Sequence, residues 1–159
     1  DSASRGLGDV YKRQDGEDAT EEAIRGIYDS LRATSLAMSE KTVLPGGGAS
    51  HSMIAHHVRT EMESEPGRER IAMESFARAM ETIPAVLAEN SGQNPLDKVL
   101  KLRSEARNGN CMGIDRDGKI TSPEGVWHPK SVISGSLETA TETAISMLRI
   151  DQVVSARGD

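Results

Sequence analysis

Apolar residues recur at helical spacing through most of this chain. Ala23, Ile24, Ile27 and Leu31 form the first stripe; with Asp18 and Glu21 as a start signal it predicts a helix to about Met38. A second helix is expected from Ser50 to Glu63, carrying Met53, Ile54, Val58 and Met62 and halted before Pro66-Gly67. The clearest stripe is Ala72, Phe76, Met80, Ile83 and Leu87. It predicts a helix from Glu69 to Asn90, kinked at Pro84 and stopped by Asn90-Ser91-Gly92. Leu96, Val99, Leu100 and Leu102 predict a fourth helix to Arg107, entered through Asn94-Pro95 and ended by Asn108-Gly109. Ile133, Leu137, Ala140, Ala144 and Leu148 set one face of a last helix from Pro129 to Val154. Two stretches break the period. Thr42-Val43-Leu44 reads as a short extended entry to Pro45 and three glycines, and Met112 to Thr121 reads as a hairpin turned by Asp117-Gly118. Several helices around one short hairpin make a mainly α arrangement.

Residues 1–16 are expected to be a non-native or disordered leader. The first fourteen have neither period and read like translated adaptor text at the end of a gene fragment, and the chain opens on Asp1, as expected of a processed or incomplete product. The net charge of −6 argues against a nucleic-acid surface, which would normally be basic. No apolar run approaches the ~18 residues of a membrane span. With Cys111 as the only cysteine there is no internal disulfide, and a reducing cytoplasm is the expected setting. Aromatic residues are 3% of the chain against 7 methionines, so the core should be aliphatic and Met-filled.

Gly46-Gly47-Gly48 is the most informative local feature. Without side chains, a backbone can lie flat against a bound ring or phosphate, and a lone Asp29 on the preceding helix can reach the same ligand. No Gly-Lys-Ser/Thr follows, so this is not a P-loop, and another segment must cradle any phosphate. Asp115-Arg116-Asp117-Gly118 fails as a calcium loop, because its glycine falls at position four and Lys119 takes a ligand position. His51, His56 and His57 lack the spacing of a zinc site and read as a solvated helix face. Cys111 reads as a small buried hydrophobe and Trp127 as a packing residue. No metal ligands are assigned within the chain.

Four blocks, in this order, resemble the C-terminal third of a group II chaperonin subunit, the archaeal thermosome and eukaryotic CCT family. They are Glu21-Glu22-Ala23 through Asp29-Ser30-Leu31 with Val43-Leu44-Pro45-Gly46-Gly47-Gly48-Ala49; Ile71 through Ala77 running into Ile83-Pro84-Ala85-Val86-Leu87-Ala88-Glu89-Asn90-Ser91-Gly92; Asn94-Pro95-Leu96-Asp97 with Leu102-Arg103; and Thr139 through Ala144 with Met147 through Asp151. The resemblance spans about residues 17 to 155, and the Ile-Pro…Leu-Ala-Glu-Asn-x-Gly block is its most specific part.

The resemblance implies residues 17–40 as the returning helix of an intermediate domain and 41–159 as the C-terminal half of an equatorial ATP-binding domain. It implies an ATP hydrolase that folds unfolded polypeptides in a double ring of like subunits, with no nucleic acid and no membrane as partner. Asp29 matches the carboxylate that orients the water attacking the γ-phosphate. Gly46 and Gly47 match glycines packed against the sugar and base, and Gly113, Asp115 and Val126 match other positions of the adenosine pocket. The family's phosphate loop, the ligands of its Mg²⁺ and its apical domain lie upstream of the matched part. The chain departs from the pattern at His128, where an acidic ribose contact is usual, at Ile133, where a lysine is usual, and in a shortened Ser122–Gly125 link. These departures keep a second reading open, a helical interaction protein derived from this fold that no longer uses nucleotide.

Overall fold

The computed structural model describes the backbone of residues 3–155 and the side chains of residues 19–150. Helix α1 runs Ala3–Glu40, and the chain divides into two units between Thr42 and Val43. The helix start expected at Asp18 therefore falls inside a longer helix. No proline stands between residues 3 and 40, and extending a formed helix costs far less than nucleating one. The leader expected over residues 1–16 lies, for its side chains, outside the described residues. Lys41, at φ 55°, takes the left-handed turn that ends α1, its N–H reaching the Ala37 carbonyl at 3.0 Å.

The second unit comprises β1 (Val43–Pro45), α2 (Ala49–Met62), α3 (Glu69–Asn90), α4 (Pro95–Arg107), β2 (Gly113–Ile114), β3 (Ile120–Thr121), β4 (Trp127–Pro129) and α5 (Lys130–Ser155). The fold is mainly α, as the apolar periods predict. α3 keeps its expected bounds and continues through Pro84, which is wholly buried. α4 starts where Asn94 Oδ1 accepts the N–H groups of Leu96 and Asp97 at 2.9 and 3.3 Å, with Pro95 at a first-turn position that has no N–H to satisfy.

Two small clusters make the core. Ala55, Ala77 and Met80 join α2 to α3, with Leu137 of α5 packed against them; Ala88, Leu102 and Ile114 join α3 and α4 to the hairpin β2–β3. Alanines at the crossing let helix backbones approach closely while Met80 fills the irregular remainder. Only the first turns of α5 take part. Ile133 is buried, whereas Ala140, Ala144 and Leu148 of the expected apolar face are exposed, as are Ile145, Met147 and Ile150.

Beyond the expected hairpin there is a second antiparallel pair, with Val43 opposite Pro129, Leu44 opposite His128 and Pro45 opposite Trp127. It ties the entry strand to a segment far along the chain and so builds one side of the site. Trp127 is not the packing residue that its type suggests. It is 54% exposed, because in this three-residue strand the buried position is Pro129.

Candidate functional site

At the C-terminal end of β1 the chain turns through Gly46, Gly47 and Gly48 into α2. Gly47 and Gly48 hold positive φ, at 61° and 76°. The space of each missing side chain is filled by protein. A Cβ on Gly46 would meet Val126 Cγ1 at 2.5 Å and His128 Nε2 at 3.1 Å; one on Gly47, the Ile114 carbonyl oxygen at 2.8 Å; one on Gly48, Pro84 Cβ at 2.9 Å. Backbone hydrogen bonds fix the corner: Gly46 N–H to Val126 O and Ile114 N–H to Gly47 O, both 2.8 Å. The glycines are thus required first by the convergence of β4, β2 and α3 on one point.

Beside that corner opens a cleft of ≈ 470 Å³, within the usual size of small-molecule sites. Ile83 and Leu87 of α3, Ile114 and Val126 form its apolar walls, and His51, Asp115, Arg116 and His128 its polar ones. The apolar stripe of α3 accordingly splits. Met80 goes to the core, while Ile83 and Leu87 turn their partly exposed side chains to the cleft. His51 stands in the first turn of α2, and burial, then the neighbouring His128, hold its pKa below the ordinary value. A neutral imidazole offers one donor and one acceptor. Asp115 spends Oδ1 on its own loop, accepting the N–H groups of Asp117 at 2.9 Å and Lys119 at 2.8 Å.

A polar cluster underpins the helices. Glu81 of α3, 6% exposed, accepts from both Arg59 of α2 and Arg103 of α4, and Arg59 also reaches Glu74. Burial alone would push the Glu81 carboxyl up, but the hydrogen bonds and charges of Arg103 and Arg59 outweigh it and hold the pKa below the usual value. Those same bonds raise Arg59, with Glu81 the largest cause. Among the described residues no group of three or more His, Cys, Asp and Glu could hold a metal ion, and no helix is long and apolar enough to cross a membrane.

The family model for the TCP-1/cpn60 chaperonins matches residues 13–158. The chain belongs to the TCP-1/cpn60 chaperonin family. It is 37% identical over 152 residues to a thermosome subunit of Methanocaldococcus jannaschii, covering 92% of this chain and 28% of that one. It is 39% identical over 144 residues to the thermosome subunit alpha of Halobacterium salinarum, covering 88% and 26% respectively. Among solved structures it is similar to the open-state monomer of a group II chaperonin from Methanococcoides burtonii, with TM-score 0.72 and 29% identity over 79% of this chain and 32% of the other. The chain thus spans about 28% of the length of the thermosome subunit from M. jannaschii.

In this chaperonin chain the structure brings Gly46, Gly47, Asp115, Val126 and His128 to one cleft. Gly113 lies beneath it, its backbone packed on the Gly46 and Gly47 carbonyls. Asp29 is exposed on α1, in the first unit. Ile133, where the family pattern has a lysine, is buried. His51, read from the sequence as one of a solvated set, lines the cleft; its place three residues after Gly48 was the available signal. Cys111 is half-buried, and burial pushes its thiol pKa up.

Proposed function

We propose that the chain is the C-terminal part of an ATP-dependent chaperonin subunit, with residues 17–40 as intermediate-domain helix and 41–159 as equatorial half-domain. The glycine-corner cleft then forms the sugar-and-base wall of its nucleotide site. The observation that supports this most is the gathering of Gly46, Gly47, Asp115, Val126 and His128 round one cleft of nucleoside-accepting size, although they come from three separate stretches of chain. Ile83, Leu87, Ile114 and Val126 would enclose a base, and His128, with His51 beside it, would hydrogen-bond a ribose hydroxyl. Bound ATP with Mg²⁺ supplies the scissile phosphoanhydride. The loop cradling its phosphates, and the Mg²⁺ ligands, belong to the larger part of the relatives' length that this chain does not match.

Asp29 is the residue we assign to hydrolysis. Its carboxylate would accept a hydrogen bond from the attacking water and so orient it towards the γ-phosphate. Carried on an intermediate-domain helix, it would couple hydrolysis to domain closure. The partners are other subunits of a ring and unfolded polypeptides, in a cytoplasmic setting.

The test is titration of the 159-residue chain with a fluorescent ADP analogue, beside Ile83→Trp, which fills the cleft from a partly exposed position. Saturable binding that Ile83→Trp weakens by roughly tenfold or more supports the reading. Binding unaffected by that substitution refutes the site. In a full-length subunit carrying this segment, Asp29→Asn should lower steady-state ATPase by about 10²-fold or more while ADP binding stays the same. A second reading, a nucleotide-independent interaction protein on the same fold, is favoured by His128 in place of an acidic ribose contact. Absence of any ADP binding by a folded full-length subunit carrying this segment decides for it.

A further inference from the structure

α2 starts at the glycine corner and ends at a second concavity of ≈ 240 Å³, formed where its last turn meets the first turn of α3 and the last turn of α4. Four arginines line it, Arg59, Arg70, Arg103 and Arg107, together with His56 and Glu63. Arg59 and Arg103 are held rigid by Glu81. Arg103 uses only Nε and Nη2 for this, and its two Nη1 donors have no partner among the described residues. Arg70 and Arg107 make no hydrogen bond or ion pair among the described residues. Glu81 and Glu74 offset the charges of Arg59 and Arg103, so the excess positive charge of this cleft is that of Arg70 and Arg107 less that of Glu63, in a chain whose net charge is −6.

Helix ends account for part of this cluster and not for the rest. Arg59 and Arg107 lie in the last turns of α2 and α4, where a cation complements the helix dipole. Arg70 is the second residue of α3, where the same dipole opposes a cation. Glu63 lines the same cleft, but no carboxylate among the described residues forms an ion pair with Arg70, so its guanidinium remains available to an anion. A rigid guanidinium framework flanked by free ones is suited to bidentate capture of a tetrahedral oxyanion. At ≈ 240 Å³ the cleft is of a size that suits a small anion.

We propose that this cleft binds a multiply charged phosphate-type oxyanion, clamped by Arg70 and Arg107 against the fixed Arg103. Pyrophosphate is the probe, titrated into the full 159-residue chain at constant ionic strength and followed by NMR. Saturable shifts on the arginine Nε–H signals of this cleft and on His56 are expected. The double variant Arg70→Gln/Arg107→Gln should weaken binding about tenfold or more, while Lys101→Gln, a change on the exposed face of α4, leaves it unaltered. Both arginines are exposed, so the variant keeps the fold; should it not, the shift map of the parent chain still decides. The assignment is overturned by a lack of saturable shifts, by shifts confined to the glycine cleft, by equal response to chloride, or by a folded double variant that titrates like its parent.

Discussion

Replacing Glu81 by Gln removes one charge from the centre of the helical unit and leaves two guanidiniums facing a neutral amide. The carboxylate takes four hydrogen bonds, two from Arg59 (2.5 and 2.8 Å) and two from Arg103 (2.6 and 2.5 Å). Breaking a buried ion pair on one side usually costs ~3–5 kcal/mol, because the surviving charge is left uncompensated. Here the loss is smaller, since the Arg103 side chain is 37% exposed and can rehydrate, and Arg59 retains Glu74. We expect about 2–4 kcal/mol, a large share of the ~5–15 kcal/mol that holds a typical domain folded. Urea unfolding of parent and variant measures it. The pH dependence has a definite sign. The folded-state pKa of Glu81 lies below 4.5, so its contribution is complete above that value and disappears as pH falls through the depressed one. Parent and variant should therefore differ at neutral pH and converge in acid. A neutral-pH difference under about 0.5 kcal/mol, or one that persists undiminished in acid, would falsify this account of the cluster.

Two further outcomes follow from the cleft. Gly48→Ala forces a left-handed backbone on a residue whose Cβ meets Pro84 Cβ at 2.9 Å and Cα at 3.1 Å. Conformational strain of ~1–2 kcal/mol and overpacking of ~1–3 kcal/mol give a loss of about 2–5 kcal/mol in urea unfolding, and a loss below about 1 would show that the corner yields. His51, with its pKa held below 6.5, is proton-poor in the folded state, so stability should decline as pH drops beneath 6.5. His51→Gln should flatten that decline between about pH 7.5 and pH 5.5 in urea midpoints, and parallel profiles for parent and variant would count against it.

What the sequence disclosed was local. α3 and α4 were legible because each carries a stripe with a start and a stop of its own, Glu69 to Asn90-Ser91-Gly92 and Asn94-Pro95 to Arg107. The hairpin was legible through Asp117-Gly118, and Gly118 does take positive φ. What stayed hidden was non-local. A three-residue strand such as Trp127–Pro129 has no period, and its partner Val43–Pro45 lies at the other end of the unit. Arg59, Glu81 and Arg103 come from three helices, and no spacing along one chain segment signals their meeting. Apolar period alone could not tell that Ile83 and Leu87 face a cleft, since a ligand wall and a core use the same residue types. The glycine triplet was informative for a second reason besides ligand contact, because protein backbone and side chains occupy the room its side chains would need.

That crowding has an engineering consequence. Strand β4, the Gly113–Ile114 segment and the Pro84 turn of α3 meet where not even a methyl group fits, so they behave like three beams resting on one pin. No one of them can be reshaped alone, and reselecting what the cleft accepts would mean redesigning its walls as a set.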